Sequence, residues 1–265
     1  MSSAEARPRL ALVGHAGDEL NIDGLARWLG SFADLTLLVR IHEPLQRKVR
    51  RVRRELQRVG AWRMADVMAY KVIHQVRYRR ADAEWHAALL ETLRSTYPPA
   101  RFARTIDVPN ANDAPVQEAL RADPPDLMIA RCKQLLAPRI FEVPRAGTVV
   151  LHPGICPEYR NAHGGFWALA TGHPELVGTT LLRIDRGVDT GPVFAYFTAR
   201  GSLDTHSHIV LQNRTLFDNL PAVQAALEQV IDGLATPVDV RGRTSAEWGQ
   251  PWLTAWRRAR RAART

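Results

Sequence analysis

The sequence predicts an α/β fold in which helices cover both faces of a mostly parallel sheet. Short apolar runs recur along the chain, and glycine, proline or polar residues bound them, as is usual for buried strands. Helical patterns separate these runs, beginning with the strand, helix and strand of residues 9–41. A strand, a crossover helix and a second strand form a parallel unit, so this order indicates a doubly wound, Rossmann-like sheet.

Seven segments have the length and composition of strands. The predicted strands are residues 9–14, 35–41, 101–108, 126–130, 147–151, 178–184 and 193–200. The first, RLALVG, ends in glycine, as the opening strand of such a sheet often does. The fourth and fifth carry no charged residue after Asp126, which is typical of central strands buried on both faces.

Helices are expected between these strands. The predicted helices are residues 20–29, 115–121, 135–141, 165–171 and 207–231. The region 44–96 is rich in Arg, Ala, Leu and Glu, and we expect it to form a helical insertion of two or three helices, broken near Gly60 and Ala81. The sequence therefore divides into one domain over 8–235, with this insertion, and a basic extension over 236–265.

The extension is expected to form a short helix that packs back on the body. Trp252 and Trp256 are four residues apart, so they share one face of a helix. The arginine-rich end of the extension follows that pair.

Composition restricts the class of protein. Of 265 residues, 46% are hydrophobic and 24% charged, which excludes a disordered or fibrous chain. Two cysteines cannot form a disulfide framework, no apolar run has the length of a membrane span, and the first residues lack the apolar segment of a secretory signal. We therefore expect a cytoplasmic protein without a membrane span.

The net charge of +9 comes mainly from arginine. Only three of the 36 basic residues are lysines, which indicates a compositional bias and argues against nucleic acid as the main partner. One dense cluster covers residues 47–58, where apolar residues recur at helical spacing on a basic background. Two interpretations stay open: a solvated helix face, or a platform for an anionic substrate, a carrier protein or a membrane surface.

Side chains that could take part in catalysis follow the fifth strand. His152 stands at its carboxyl end, where open α/β sheets bind ligands, and Pro153 and Gly154 force an irregular loop there. Asp185 and Asp189 lie in a turn-rich loop between the last two strands. A carboxylate beside a histidine favours the imidazolium form, which can stabilise a developing oxyanion.

These residues and the segment YRNAHGGFWAL between them resemble the folate-dependent formyltransferase family. That family includes glycinamide ribonucleotide, methionyl-tRNA and sugar N-formyltransferases. The resemblance extends over residues 125–195. The matching segments are 125–127, 150–154, 157–161, 167–169, 178–180 and 185–192.

The resemblance implies transfer of a formyl group from N10-formyltetrahydrofolate to an amine, without a metal. It places His152 and Asp189 in the catalytic set, while the family's asparagine position holds Val150. Valine has no hydrogen-bond donor, and loss of one oxyanion donor costs about 10²–10³ in rate. The candidate substitutes are Asn161, Asn112, Asn110 and Lys133.

The resemblance also implies which residues bind the two substrates. The residues expected to contact the folate are Arg131, Cys132, Lys133, Gln134, Leu135, Leu136 and Asp185. The residues expected to contact the acceptor are Gly14, His15, Gly17, Tyr159, Arg160 and His163. The acceptor is expected to be an amine on a small molecule of sugar or natural-product biosynthesis, with anionic and carrier-bound acceptors and the oligomeric state left open.

Two alternatives remain. Because Val150 lacks a donor, the protein could be a catalytically inactive or altered-donor member that binds folate or another metabolite. The segment GHAGDE resembles, more loosely, the signature of zinc-dependent N-deacetylases. In that case the zinc ligands would come from His15, Asp18, His206 and His208.

Overall fold

A computed structural model describes residues 6–201, 203 and 207–262, without the side chains of residues 48, 51 and 262. The strands are β1 (Arg9–His15), β2 (Asp34–Ile41), β3 (Phe102–Val108), β4 (Leu127–Arg131), β5 (Thr148–His152), β6 (Arg160–Asn161), β7 (Gly178–Arg183), β8 (Val193–Thr198) and β9 (Glu247–Trp248). The helices are α1 (Ala26–Phe32, continuing the π-helical turn Leu20–Leu25), α2 (Leu45–Arg77), α3 (Arg79–Thr96), α4 (Ala114–Ala122), α5 (Pro138–Phe141), α6 (Gly164–Ala170), α7 (His208–Phe217), α8 (Leu220–Ile231) and α9 (Leu253–Ala262).

Seven strands form the main sheet in the order β3-β2-β1-β4-β5-β7-β8, which confirms the predicted mostly parallel α/β fold. The seven predicted strands agree with the observed ones within two residues at each end. None of the helices in the described residues combines the length and apolar composition that a bilayer span requires.

The chain forms two compact units. The first contains the residues up to Glu43 together with Ala87–Val150 and Gln229–Leu234, and the second contains Pro44–His86, Leu151–Glu228 and the residues from Ala235 onward. Part of the helical insertion, residues 44–86, thus belongs to the same unit as residues 151–228.

The first unit contains the parallel strands. β1 pairs with β2 on one side and with β4 on the other, and β3 and β5 extend these two sides. The chain therefore reverses its direction of winding between β1 and β4, and the carboxyl ends of such a pair form the usual ligand crevice of a doubly wound sheet. Leu10, Leu12 and Ile129 are fully buried in these strands.

The second unit contains the antiparallel pair β7 and β8, the short parallel pair β6 and β9, and an aromatic core. Tyr70 from α2, Phe166 and Trp167 from α6, and Trp256 from α9 are all buried in this core. Trp252 packs against it, which confirms the expectation that the tail helix packs back on the body.

The helical insertion is broken at Gly60, as predicted. Gly60 has φ 78° and ψ 167° between two helical halves of α2. The second break falls at Tyr78, three residues before the predicted position at Ala81.

Three predicted boundaries were wrong. The helix expected over 207–231 is two helices, because Pro221 in the first turn of α8 lacks the N–H that a continuous helix needs. The helix expected over 135–141 begins at Pro138, a residue favoured at the first helical position. His152 is the last residue of β5 and does not follow it.

Candidate functional site

His152 and Asp189 form an ion pair in the second unit. His152 is 3% exposed, and its Nδ1 lies 3.3 Å from Oδ2 of Asp189. Its Nε2 lies 2.9 Å from the carbonyl oxygen of Tyr159. Both ring nitrogens of His152 therefore face oxygen acceptors, and an N–H at either position finds a partner.

The Asp189 side chain is fixed by the segment that follows Tyr159. Its Oδ2 also accepts a hydrogen bond of 2.8 Å from the backbone N–H of Asn161. The guanidinium of Arg160 donates to the carbonyl of Val188, which fixes the loop one residue earlier. Oδ1 of Asp189 has no partner within the described part of the chain, and the Asp189 side chain is 16% exposed. This oxygen is therefore the one that can receive a proton.

Asp185 shapes the same loop. Its carboxylate accepts hydrogen bonds from the N–H of Gly187 and from the hydroxyl of Thr190, at 2.9 and 2.8 Å. This is an Asx-type turn that holds its own backbone. The structure therefore gives Asp185, a residue expected to contact the folate, a role in loop conformation.

Two glycines let the backbone at His152 approach the segment before α6. A Cβ on Gly154 would lie 2.9 Å from Nε2 of His152 and 3.0 Å from Cα of Gly164. A Cβ on Gly164 would overlap Cα of Gly154. The turn after β5 and the start of α6 are thus in direct backbone contact.

Backbone strain is concentrated at this site. Asn161, His163 and Asp189 have φ of 77°, 55° and 51°, and they are the described residues other than glycine with positive φ. Such conformations cost about 1–3 kcal/mol where a side chain is present, and they cluster at functional sites. The site is therefore built at the expense of local stability.

The residues expected to bind the acceptor differ in their placement here. Tyr159 is buried, and its hydroxyl lies 2.7 Å from that of Thr171, so its ring packs in the core. Its carbonyl oxygen is the hydrogen-bond partner of His152 Nε2. The Nε of Arg160 donates to Ser245. His163 lies at the start of α6 and is half-buried.

A chain of buried hydrogen bonds leads from α2 to His163. The Tyr70 hydroxyl lies 2.9 Å from Nδ1 of His208, and Nε2 of His208 lies 3.1 Å from Nδ1 of His163. The ring of His74 lies 5.2 Å from that of His208, centroid to centroid. Burial and the two neighbouring histidines hold the pKa of His208 well below its usual value. Sequence reasoning missed this chain, because no local pattern connects Tyr70 with a residue 138 positions away.

In the first unit, polar residues gather at the carboxyl ends of β1 and β4. The backbone N–H of Lys133 donates to Nε2 of His15, and Nε of Arg131 donates to the side chain of Asn21. The Asn21 amide donates in turn to Asp18 at 2.7 Å. Burial lowers the pKa of Arg131, whereas Asp18 raises it.

The two glycines expected near the acceptor lie in the loop at the end of β1. A Cβ on Gly14 would lie 3.1 Å from Ile22, whereas one on Gly17 would meet no neighbour. Gly14 therefore allows close packing against the following helix, and Gly17 leaves its surroundings open.

The loop of residues 131–136 is held from one side by asparagine. The Asn112 amide donates to the carbonyl of Leu135 and accepts from the N–H of Ala137. The Gln134 side chain accepts from the N–H of Ala111. Leu135 is 70% exposed, whereas Leu136 is buried. The loop thus presents an apolar side chain and peptide groups to its surroundings.

Both cysteines are un-ionised thiols. Burial raises the pKa of Cys132 to about 11 and that of Cys156 to about 12. A nucleophilic cysteine needs its thiolate, so neither thiol is activated in this environment.

Of the four candidate substitutes for the missing asparagine, three are engaged in structural hydrogen bonds. Asn161 donates to the carbonyl of Trp248, Asn112 uses both ends of its amide, and Asn110 accepts from the N–H of Asn112. Lys133 is exposed, and its ammonium group has no partner among the residues described. Val150, half-buried in β5, offers no donor.

The zinc alternative finds no ligand set. Across residues 6–201, 203 and 207–262, no group of three or more His, Cys, Asp or Glu side chains could hold a metal ion. His206, one of the expected ligands, lies outside the described residues. His208 instead bonds to Tyr70 and His163.

Comparisons with known proteins identify one family. A family model described as formyl transferase matches residues 83–218, just over half of the chain. Methionyl-tRNA formyltransferase of Burkholderia vietnamiensis is 34% identical over 141 residues, which are 52% of this chain and 42% of the relative. That of Thermus thermophilus is 29% identical over 154 residues, 56% of this chain and 49% of the relative. The chain thus spans less than half the length of these relatives.

Solved structures share the fold at low identity. Phosphoribosylglycinamide formyltransferase of Anaplasma phagocytophilum aligns with a TM-score of 0.53 at 12% identity, over 91% of this chain and 98% of that one. A 4-N formyltransferase of Francisella tularensis aligns with a TM-score of 0.52 at 10% identity, over 91% and 75% of the two chains. These likenesses concern the fold alone.

Proposed function

Because this chain belongs to the formyl transferase family, we propose that it transfers a formyl group from N10-formyltetrahydrofolate to an amine. The observation that carries the proposal is the ion pair of His152 and Asp189, with one carboxylate oxygen left for substrate. A carboxylate held in place by His152 and by the Asn161 N–H is suited to general base catalysis.

The proposed reaction moves one proton from the acceptor nitrogen to N10 of the folate. The acceptor amine forms a bond to the formyl carbon, and the carbonyl oxygen becomes an oxyanion. Asp189 takes a proton from the attacking nitrogen and returns it to N10 of the folate as the bond from N10 to the formyl carbon breaks. His152 acts by positioning Asp189, because both of its ring nitrogens are engaged.

The folate would contact the loop of residues 131–136. A pterin ring combines flat apolar faces with donors and acceptors at its edge, and this loop offers the exposed Leu135 and peptide groups. Backbone groups tolerate side-chain change, so Arg131, Cys132 and Lys133 are compatible with such contacts. This fit supports a folate donor.

We propose a small-molecule amine as acceptor, of the kind found in sugar or natural-product biosynthesis. The exposed Arg50, Arg53 and Arg54 of α2 favour an anionic or carrier-bound acceptor. The free thiols of Cys132 and Cys156 support a reducing, cytoplasmic setting.

The first test is a calorimetric titration of the purified protein with a stable analogue of N10-formyltetrahydrofolate. We expect saturable micromolar binding, followed in an amine screen by formyl transfer that Asp189→Ala lowers by about 10²-fold or more. Asp185→Asn is the matched control, since it keeps an Asx-type turn in the same loop. Binding without transfer to any amine would favour the non-catalytic alternative, and a folded protein that fails to bind at millimolar concentration would contradict the folate donor.

A further inference from the structure

The segment 157–161 supplies backbone groups that hold both members of the ion pair. The carbonyl oxygen of Tyr159 lies 2.9 Å from Nε2 of His152. The backbone N–H of Asn161 donates to Oδ2 of Asp189 at 2.8 Å. The geometry of the ion pair therefore depends on how firmly the segment 157–161 is itself held in place.

Residues 243–249, which contain β9, run alongside this segment. The N–H of Arg160 donates to the carbonyl of Ala246, and the N–H of Ala246 donates to the carbonyl of Pro157, both at 3.1 Å. These bonds accompany the parallel pairing of β6 with β9 within the second unit. Residues 243–249 lie outside residues 83–218, so the family model does not include the part of the chain that pairs here.

Arg243 makes the charged contact between the two segments. Its Nε and Nη2 each donate to the carboxylate of Glu158 at 2.7 Å, and such bidentate pairs are geometrically specific. The two side chains are 28% and 19% exposed, so water screens the pair only in part. Nη1 of Arg243 donates to the hydroxyl of Tyr196, which donates in turn to the carbonyl of Cys156, both at 2.6 Å. Arg243 thus holds the chain immediately before Tyr159.

Trp248 makes the aromatic contact. Its ring stacks against those of Tyr159 and Trp167, at centroid distances of 5.9 and 4.6 Å and interplanar angles of 27° and 23°. The indole N–H of Trp248 donates to the carbonyl of Glu158 at 2.8 Å. Its own carbonyl accepts from the side-chain amide of Asn161 at 2.7 Å. Trp248 therefore fixes the ring of one residue that holds the ion pair and the side chain of the other.

Asn161 connects the segment 243–249 directly to the carboxylate. Its backbone N–H donates to Asp189, and its side-chain amide donates to Trp248. It has φ of 77°, in a region that asparagine tolerates better than most residues other than glycine. The bond to Trp248 holds this uncommon backbone conformation, and the conformation directs the N–H toward Asp189.

We propose that residues 243–249 are a positioning element, which holds Asp189 and His152 in their reactive arrangement by way of the segment 157–161. The inference rests on the proposed function. A general base acts only from the correct position, and a displacement of about 1 Å can cost about 10²-fold in rate. Arg243 and Trp248 are accordingly positioning residues, because they act on the carboxylate through other residues.

The holding role is measurable without substrate, by amide hydrogen exchange of the full chain. Arg243→Gln removes the charged pair with Glu158 while keeping a long polar side chain. We expect it to lower the protection of the Asn161 N–H by about tenfold or more, because local opening of the segment becomes easier. The amides of β7, in the same unit, should keep their wild-type protection. An equal loss in β7 would show global destabilisation and would overturn the inference.

Arg241→Gln is the matched control. Arg241 lies two residues before Arg243, and its guanidinium donates to Asp239, which is outside the segment 157–161. We expect the Asn161 N–H to keep its wild-type protection in this variant. A loss as large as that in Arg243→Gln would mean that any lost arginine in this region has the same effect, and would overturn the inference.

Asn161→Gly is a second variant, which decides the question if Arg243→Gln does not fold. Glycine keeps the backbone N–H and adopts positive φ without strain, so this change removes only the side-chain bond to Trp248. We expect the N–H of residue 161 to lose protection by about tenfold, after correction for the intrinsic exchange rate of glycine. Wild-type protection of this N–H in Asn161→Gly would overturn the inference.

The catalytic consequence is tested by steady-state kinetics with the acceptor found in the screen. We expect Arg243→Gln to lower kcat by about 10–100-fold with little change in the KM for the folate, and Arg243→Lys to recover part of kcat through a single charged bond to Glu158. Arg241→Gln should keep wild-type kinetics. A raised KM with unchanged kcat in Arg243→Gln would assign the segment to donor binding and overturn this part. If the wild-type protein transfers no formyl group, the proposed function fails and this part fails with it, while hydrogen exchange still decides whether residues 243–249 hold the segment 157–161.

Discussion

Gly164 shows how single residues shape the site. Its Cβ-free surface lets α6 begin directly against Gly154, and a methyl group there would overlap backbone atoms that cannot rotate away. We expect Gly164→Ala to lower the free energy of unfolding by about 1–3 kcal/mol, since overpacking displaces the backbone. The measurement is urea unfolding followed by tryptophan fluorescence, with the affinity for the folate analogue as a second readout.

The next residue is a close control. A Cβ on Gly165 would lie 3.6 Å from Val177, which is ordinary van der Waals contact, and Gly165 is already helical. We expect Gly165→Ala to be neutral or to stabilise the protein by up to about 1 kcal/mol, because alanine favours the helix. Equal losses in both variants would mean that the backbone contact at Gly154 is not the cause.

At the scale of elements, Gly60 determines the course of α2. Its φ of 78° and ψ of 167° lie in a region that is nearly restricted to glycine, and no atom would meet a Cβ there. We expect Gly60→Ala to cost about 1–3 kcal/mol of stability through backbone strain alone, as measured by thermal and urea unfolding.

Gly17 provides the comparison for Gly60. A Cβ on Gly17 would also meet open space, but its φ is not positive, so Gly17→Ala should change the free energy of unfolding by less than about 0.5 kcal/mol. A similar loss in both variants would contradict the assignment of strain to Gly60.

Element boundaries were predictable where chain chemistry marks them. The kink at Gly60 was predicted from a single glycine in a long helical pattern. The start of α5 was marked by Pro138 but was predicted three residues too early. The division between α7 and α8 was also marked, by Pro221, but the apolar periodicity of residues 207–231 concealed it. The π-helical turn Leu20–Leu25 has no marker in the sequence, since π and α segments share the same apolar spacing.

At the scale of the whole molecule, stability should depend on pH through buried histidine. The pKa of His208 is lowered in the folded state, so below about pH 6.5 the unfolded chain binds a proton that the folded protein rejects. Its contribution is thus complete above about pH 6.5 and is lost as the pH falls. We expect the free energy of unfolding to decline between about pH 7 and pH 5, by up to about 1.4 kcal/mol per pH unit for each such proton.

The interpretation of this pH dependence depends on the groups that face His208. Tyr70 and His74 face it from α2, Phe166 faces it from α6, and His163 faces it from the position before α6. Burial lowers the pKa of His74 as well, so His74 and His208 act in the same direction. His208→Gln should show a shallower pH dependence in urea unfolding, whereas His173→Gln, at an exposed position, should keep the wild-type slope. An unchanged slope in His208→Gln would assign the effect elsewhere.

The candidate site could be predicted only in part from the sequence. The pairing of His152 with Asp189 was expected because both lie near the ends of strands of one sheet, and motifs at fixed spacing identify them. The direction of the second His152 nitrogen, toward the Tyr159 carbonyl, depends on a tight loop conformation that composition does not specify. The contribution of Tyr70 depends on how a helix far away in the chain packs, which is a property of tertiary structure.

The placement of Tyr70 makes the helical insertion inseparable from the rest of the second unit. A protein engineer who replaced residues 44–86 with a short linker, in search of a smaller version of the protein, would delete the phenol and leave Nδ1 of the buried His208 without its hydrogen-bond partner. Any transplanted insertion would need a hydroxyl group at the same point. Exchange of this insertion for another helical segment is therefore constrained by a single oxygen atom on the inner face of α2.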